Sequence, residues 1–562
     1  RQKAQTVTGD LTLTNLDAHV GANAFAKFGS VVKFDVASSP EQIQINQVAG
    51  SFSQDGQSGG GFGVSGTYKT AQKSADMNVN FSGVNENALR PFLESALGGK
   101  KLVSVAINGA VSAQYNPQAG SAVKADVQVT NLVVNDPSHQ FPATPLAVGF
   151  QADASLNGQA ADVRQFQIAL TPTARAANQI NFNGHVDFSK TNAIQGNFKL
   201  AADSLDFSQY YDLFAGGTNA PAKPVATATT TPAPAPANAG QEPAPVNLPL
   251  QNFTLAADIG RLYLHEVAVS NFVMTTKIDG GHIVMKPFQL VLNGAPVNAT
   301  ADLDLGVPGY QYNVGFNARA IPLAPLVDTF QPARAGQVGG TLNANAQISG
   351  AGVTGASLQK NLSGNFGLNM TNLELSVINV HSRILKTLIN VVATIPELIK
   401  SPESGIASLL GSVTGTGGLM NELQQSPIEA ISMQATAGNG LVNLQSATVQ
   451  SAAFKADAPG TITLNEVLTN STLNIPVTVA LSRDIAGKLN VSSTTPSANA
   501  AYVPLPQFLT ITGTVGSPKP DINKLVLAGM AAHSFTGNLL NSSGTNASPV
   551  KGLLNKFLHF GK

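Results

Sequence analysis

Along much of this chain, apolar and polar residues alternate one by one. Ile180, Phe182, Gly184, Val186 and Phe188 interleave with Gln179, Asn181, Asn183, His185 and Asp187. Tyr312, Val314, Phe316 and Ala318 interleave with Gln311, Asn313, Gly315 and Asn317. Successive side chains of a strand point to opposite faces, so each stretch predicts a strand with one apolar and one wet face. The pattern recurs from Leu11 to Ile511 and predicts roughly twenty to thirty strands.

Helical spacing is confined to a few segments. Residues 87–97 carry Leu89, Phe92, Leu93 and Leu97; residues 206–214 carry Phe207, Tyr210, Tyr211 and Phe214; residues 322–330 carry Leu323, Leu326, Val327 and Phe330. The three segments follow strands at intervals of about 120 residues and close on Gly or Pro, which predicts a repeated unit of several strands and one short helix. A fourth apolar stripe, Ile384, Leu385, Leu388, Val391, Val392 and Ile395, predicts an amphipathic helix over 380–395. His381, Arg383 and Lys386 interrupt it, so it does not read as a membrane span. Residues 521–562 read as C-terminal helices. Leu553, Leu554, Phe557 and Leu558 share one face there, suited to packing on the chain's own domain or to an anionic membrane surface.

Residues 218–249 break the pattern. They are rich in Pro, Ala and Thr and nearly free of large apolar residues, which predicts a disordered linker or loop. This stretch divides the chain into a β region over 1–217 and a second over 250–520. Pattern alone leaves open whether it separates two domains or interrupts one sheet.

Composition narrows the function. Charged residues make up 11% of the 562, against about 25% in an ordinary protein, and the net charge is zero. No basic excess is present to neutralise phosphates, so nucleic-acid binding is not expected. The chain has no Cys, which excludes disulfides, thiolate metal sites and thiol nucleophiles. Arg1 and Lys3 suit the basic flank of a membrane helix that would precede this sequence. The sequence itself holds no run of ~18 apolar residues.

The few helices cannot cover so much apolar sheet. Either the strands close into sandwiches or barrels whose faces cover each other, or the sheet curls into an open trough whose apolar interior is left for an apolar ligand. Three stretches bear on the choice. In residues 508–532, Ile511, Gly513, Thr514, Val515, Pro518, Pro520 and Asp521 follow the pattern of a closing strand before a helix. Residues 438–464 read as paired strands around a Gly-bounded turn, and residues 339–375 place Leu358, Leu362 and Gly364 in a short connection between strands. In these features the chain resembles the AsmA-like family of bacterial envelope proteins, best from about 290 to 530. The resemblance implies a mainly β fold: a long curved antiparallel sheet forming a hydrophobic groove, with a few short helices and a helical C-terminus. It also implies a periplasmic protein, attached to the inner membrane of a diderm bacterium, that moves phospholipid between membranes for outer-membrane biogenesis. A surface or adhesive β-sandwich array without lipid cargo is the alternative reading.

Catalytic motifs do not emerge. The sequence has no G-x-S-x-G elbow, no phosphate-binding G-x-x-x-x-G-K-[ST] loop and no H-E-x-x-H helix. Its eight His are scattered, and Asp302 with Asp304 reads as a solvated strand face. No enzymatic activity, metal or cofactor is expected. The expected lipid-binding residues are Val123, Val127, Val129, Ile180, Phe182, Val186, Phe188, Val314, Phe316, Leu342 and Ile348. Each lies on the apolar side of an alternating stretch whose other side carries residues such as Lys124, Asp126, Asn181, Asn183, Asn313 and Asn345. The same positions would fill the core of a closed sandwich.

Overall fold

The structure, a computed structural model, describes residues 5–20, 23–97, 100–136, 139–214, 241–374, 426–488 and 500–523, with positions 525, 526, 529 and 530. It forms two compact units, one of residues 1–235 and 247–294, the other of residues 236–246 and 295–562. The first holds β1 (Gln5–Val20), β2 (Asn23–Ser38), β3 (Gln42–Gln54), β4 (Gln57–Lys69), β5 (Ser74–Asn85), β6 (Lys101–Tyr115) and β7 (Ser121–Asp136). It continues through β8 (His139–Asn157), β9 (Ala160–Leu170), β10 (Gln179–Asp187), β11 (Ile194–Asp206), β12 (Leu250–Leu264), β13 (Val267–Asp279) and β14 (His282–Leu292). Each strand pairs with the next, antiparallel at every step but one. The exception is the parallel pair β11–β12, so the sheet is mixed where the sequence predicted antiparallel pairing. The Pro-rich stretch leaves after β11 and returns at β12, between two hydrogen-bonded strands of one unit.

The second unit holds β15 (Ala295–Asp304), β16 (Gln311–Pro322), β17 (Thr341–Ala351), β18 (Ser363–Thr371), β19 (Ile428–Gly438) and β20 (Leu441–Ser451), an antiparallel series. Shorter strands follow: β21 (Phe454–Asp457), β22 (Gly460–Thr463), β23 (Thr472–Ser482), β24 (Tyr502–Pro504), β25 (Leu509–Thr514) and β26 (Ser517–Ile522).

Tight turns keep neighbouring strands in register. Asp55 and Gly56 link β3 to β4, and Asn439 and Gly440 link β19 to β20, all with positive φ, as two-residue hairpins with right-handed twist require. Three predicted helices form close to their expected places: α1 (Glu86–Leu93, continued by a 3-10 turn over Glu94–Leu97), α2 (Ser208–Phe214) and α3 (Ala324–Phe330). Two short helices were unexpected, α4 (Gly355–Asn361) and α5 (Arg483–Lys488). Asp521 and Ile522, read from sequence as a helix start, end β26 instead, paired with Thr510 and Leu509. The predicted helix at 380–395, residues 531–562 and residues 218–240 lie outside the described residues.

Cross-strand glycines shape the sheet surface. Gly9 lies opposite Phe34, Gly50 opposite Phe62, Gly184 opposite Phe198 and Gly196 opposite Phe253. With no Cβ in the way, each ring folds down over its neighbour's backbone, a recognised cross-strand pairing of aromatic and glycine. A Cβ on Gly184 would collide with the Phe198 ring and the Asn197 carbonyl. We therefore expect Gly184→Ala to destabilise the first unit by about 1–3 kcal/mol in urea unfolding. Adding Phe198→Leu should recover part of the loss; a neutral Gly184→Ala would contradict this packing.

Candidate functional site

Directly opposed residues share a sheet face, so the pairing can be followed across the first unit. Starting at β1, one row reads Gly9, Phe34, Val48, Val64, Val79, Val111, Ala125, Ala152, Phe166, Phe182, Leu200, Ala257, Met274 and Phe288. All fourteen strands contribute an apolar residue or glycine to this row. The neighbouring row on the other face includes Asp10, Lys33, Asn80, Asp126, Gln151, Gln167, Asn181 and Asp258. Phe150, Phe166, Phe182, Phe198 and Phe253 form an aromatic ladder along the apolar face, with successive centroids 4.9, 6.1, 5.1 and 5.8 Å apart.

The apolar face is covered only in part. The cluster of Leu102, Val105, Val134, Leu146 and Leu213 is buried, and Leu89, Leu97 and Tyr210 pack on it, so α1, its 3-10 extension and α2 cover one end of β6–β8. α1 also lies over β2–β5, where Phe92 meets Phe25 edge to face and Phe28 is buried, and Phe253 and Ala257 on β12 are buried; much of the remaining face is at least partly exposed. None of the eleven expected residues is buried: Val123 is 39%, Val314 36%, Phe316 38% and Ile348 37% exposed, and the other seven are half-buried. Val123, Val127 and Val129 stand on β7, Ile180, Phe182 and Val186 on β10, Val314 and Phe316 on β16, and Leu342 and Ile348 on β17. Phe188 falls one residue past β10, its N–H donating to the Gln159 carbonyl. Val129 packs against the helix-covered cluster.

In the second unit the same kind of row passes from open to closed. Ala301, Val314, Ile348, Gly364, Ala437, Val442, Ile462 and Leu473 are successive partners. At β23 the row enters a sealed core, where Ile475, Val477, Val479 and Leu481 are at most 2% exposed. Phe454, Phe508, Leu509, Ile511 and α5 residues Ile485 and Ala486 complete that core.

The model of the AsmA family matches residues 29–447. The chain belongs to the AsmA family. No curated protein and no solved structure matches it. The family match begins in β2 and ends in β20; the sealed core of this AsmA-family chain begins inside the matched span with Leu373 and Ile428 and is built mostly of residues after it.

Polar chemistry is used for anchoring. At the end of β11, the buried Asp206 accepts from Arg175 Nε (2.7 Å) and Nη2 (3.1 Å), from Thr173 Oγ1 (3.2 Å) and from the Ser208 N–H (3.1 Å) and hydroxyl (2.7 Å). Arg175 also stacks on Tyr263 at 4.7 Å and donates to the His265 carbonyl, tying β12 to α2. Burial by itself would raise the Asp206 pKa, but its hydrogen bonds from Arg175 and Ser208 outweigh this and hold the carboxyl down to about 2. Sequence reasoning missed this knot, and also Glu242, the only carboxylate in residues 218–249. Glu242 accepts from the N–H groups of Val353 (2.9 Å) and Thr354 (3.2 Å) and from the Thr354 hydroxyl, which itself caps α4. Desolvation opposes ionisation, but hydrogen bonds from Ser357, Thr354 and Val353 hold its pKa to about 2. The end of the expected linker, residues 241–249, is therefore ordered coil.

A shallow concavity of about 420 Å³ lies over β5–β9, lined by polar residues such as Asn78, Lys124 and Asp153 together with Val79, Val111, Ala125 and Ala152. Its ionic groups are mutually satisfied: Asp153 pairs with Arg164 and Lys124, and Asp126 accepts from Gln128 and Gln151. Among the described residues, no three His, Asp or Glu converge as metal ligands.

Both anchoring carboxylates have depressed folded-state pKa values. Their stabilisation is full above the unfolded-state carboxylate value and is lost as pH falls from about 4 towards 2. For Asp206 the lowering corresponds to roughly 2 kcal/mol. Urea unfolding at pH 5 and pH 3 should show about half of that loss, about 1 kcal/mol, and Asp206→Asn should reduce it for the first unit. An unchanged pH slope in the variant would contradict the assignment.

Proposed function

We propose that this AsmA-family protein binds phospholipid acyl chains on its open apolar face and passes them between membranes of the bacterial cell envelope. The observation that carries this reading is the combination of an unbroken apolar row across fourteen strands with eleven lining residues that all stand at least partly exposed. Each CH₂ withdrawn from water is worth about 0.8 kcal/mol, so a continuous apolar row lowers the cost of moving an acyl chain through an aqueous compartment. A polar headgroup can stay at the strand ends in water. The reading places the protein in the periplasm, held at the inner membrane by a segment outside the described residues. Among these, no helix is long and apolar enough to cross a membrane. The sandwich-array alternative needs closed cores throughout; the described residues carry a small buried cluster at one end of β6–β8 and a sealed core built mostly from β19 onward, while the eleven lining residues stand at least partly exposed.

A charge placed on an open face stays hydrated, whereas in a sealed core it is buried without a partner. Phe182→Asp and Phe316→Asp should leave the melting temperature within about 5 °C of the parent. Ile475→Asp should unfold the second unit. Solvent extraction of purified parent protein should yield phospholipid by mass spectrometry, and the two Phe variants should yield several-fold less. Folded parent protein free of lipid, or collapse of both Phe variants, would overturn the proposal.

A further inference from the structure

The two margins of the first unit's apolar face differ in construction. At one margin α1 and α2 lie over the ends of β6–β8, where Leu102 and Leu146 are 2% and 0% exposed. Polar side chains fasten both helices to the strands. Glu86 and Glu94 accept from the Val105 and Leu102 N–H groups (each 3.3 Å), Lys100 Nζ donates to the Leu213 carbonyl (2.7 Å), and the Tyr210 hydroxyl donates to the Ala147 carbonyl (2.7 Å). At the other margin the chain between β4 and β9 makes only short turns, over residues 70–73, 116–120 and 158–159. Exposure rises along the strands towards these turns, reaching 39% at Val123, 38% at Leu156 and 53% at Tyr115. Aromatic residues are sorted the same way. On β2–β10 the rings within the face are phenylalanines, such as Phe62, Phe150 and Phe182, whereas the two tyrosines, Tyr68 and Tyr115, stand in the last row, each opposite Ala75. A tyrosine has an apolar body and a wet tip, which suits it to a boundary between hydrocarbon and headgroup.

Resting on the lipid-binding reading above, we infer that phospholipid enters this face sideways, across the Tyr68–Tyr115 margin. It then lies along the strands, with its headgroup at the two tyrosines and its acyl chains pointing towards the helices. The dimensions agree. On β6 the apolar face runs through Gly109, Val111, Ala113 and Tyr115 before the turn, and β8 repeats this from Phe150 to Leu156. Six residues of strand rise about 20 Å, and the hydrocarbon of one bilayer leaflet is about 15 Å deep. The strand direction therefore accommodates an acyl chain between the tyrosine margin and the covered cluster. The opposite orientation would press a headgroup against Leu102 and Leu146, which the helices already seal.

Nitroxide labels on the full chain, which has no native Cys, test the orientation. One is attached at Gln118→Cys, in the turn beyond Tyr115, and the other at Leu93→Cys, an exposed position of α1. The lipid probe is phosphatidylethanolamine taken up from phosphatidylglycerol vesicles, carrying either nitrobenzoxadiazole on its headgroup or pyrene at the end of one acyl chain. The label at 118 should quench the headgroup fluorophore several-fold more than the chain-end fluorophore, and the label at 93 should do the reverse. Tyr115→Asp should slow uptake from the vesicles about tenfold. Gln114→Asp, on the opposite face of the same strand, should leave uptake unchanged; both positions are exposed, so the fold tolerates either charge. Equal quenching from the two sites, the reversed pattern, or uptake indifferent to Tyr115→Asp would overturn the inference while lipid binding itself stood. Folded protein that takes up no probe at all would overturn the functional reading and this inference with it.

Discussion

Slip β10 by one residue against β9, and Phe182 turns to the wet face while Asn181 turns to the apolar one. Every strand of the first unit is under this constraint. The side-chain period is two, so each register must be correct for fourteen residues to fall in one apolar row. Two-residue turns such as Asp55–Gly56 set register locally, and the Phe-on-Gly pairs set it across strands. The parallel pair β11–β12 cannot use a tight turn, and there the structure places its densest polar knot, Asp206 with Arg175, Ser208 and Thr173.

What the register produces is apolar surface whose cover is incomplete. An ordinary domain buries such a face under a second layer. Here the short helices cover the face only in part, α1 over β2–β6 and α2 against β8 and β12, and Val314, Phe316 and Ile348 on the second unit stand more than a third exposed. The second unit also contains the contrast. Val442 pairs with Ile462, Ile462 with Leu473, and beyond Leu473 the same alternation is sealed. An open stretch and a closed core thus arise from one pattern, and the difference lies in what packs on it: α5, Phe508 and the short strands β24 and β25 complete the core after β20.

The alternation around Phe182 and Phe316 predicted both strand and face, because a two-residue period is a local property. Residues 87–97, 206–214 and 322–330 announced helices for the same reason. The apolar side of the site was legible residue by residue, but its openness was not. Val314 and Val477 have similar neighbours in sequence, yet one is 36% exposed and the other 0%. Covering depends on elements distant in the chain. α4 holds a single large apolar residue, Leu358, so it shows no apolar stripe, and Gly355 begins that helix against the Glu466 backbone. Glu242 reads as a lone charge in a Pro-rich stretch; its role depends on Val353 and Thr354, more than a hundred residues away.

The absence of cysteine from the chain allows a direct test of the open face. Single cysteines placed as Phe182→Cys, Phe316→Cys and Ile475→Cys in delipidated protein can be timed against a maleimide. The account predicts rapid labelling at positions 182 and 316, none at 475, and protection of the first two when phospholipid is restored. Labelling of 182 and 316 as slow as that of 475, in folded and lipid-free protein, would contradict it.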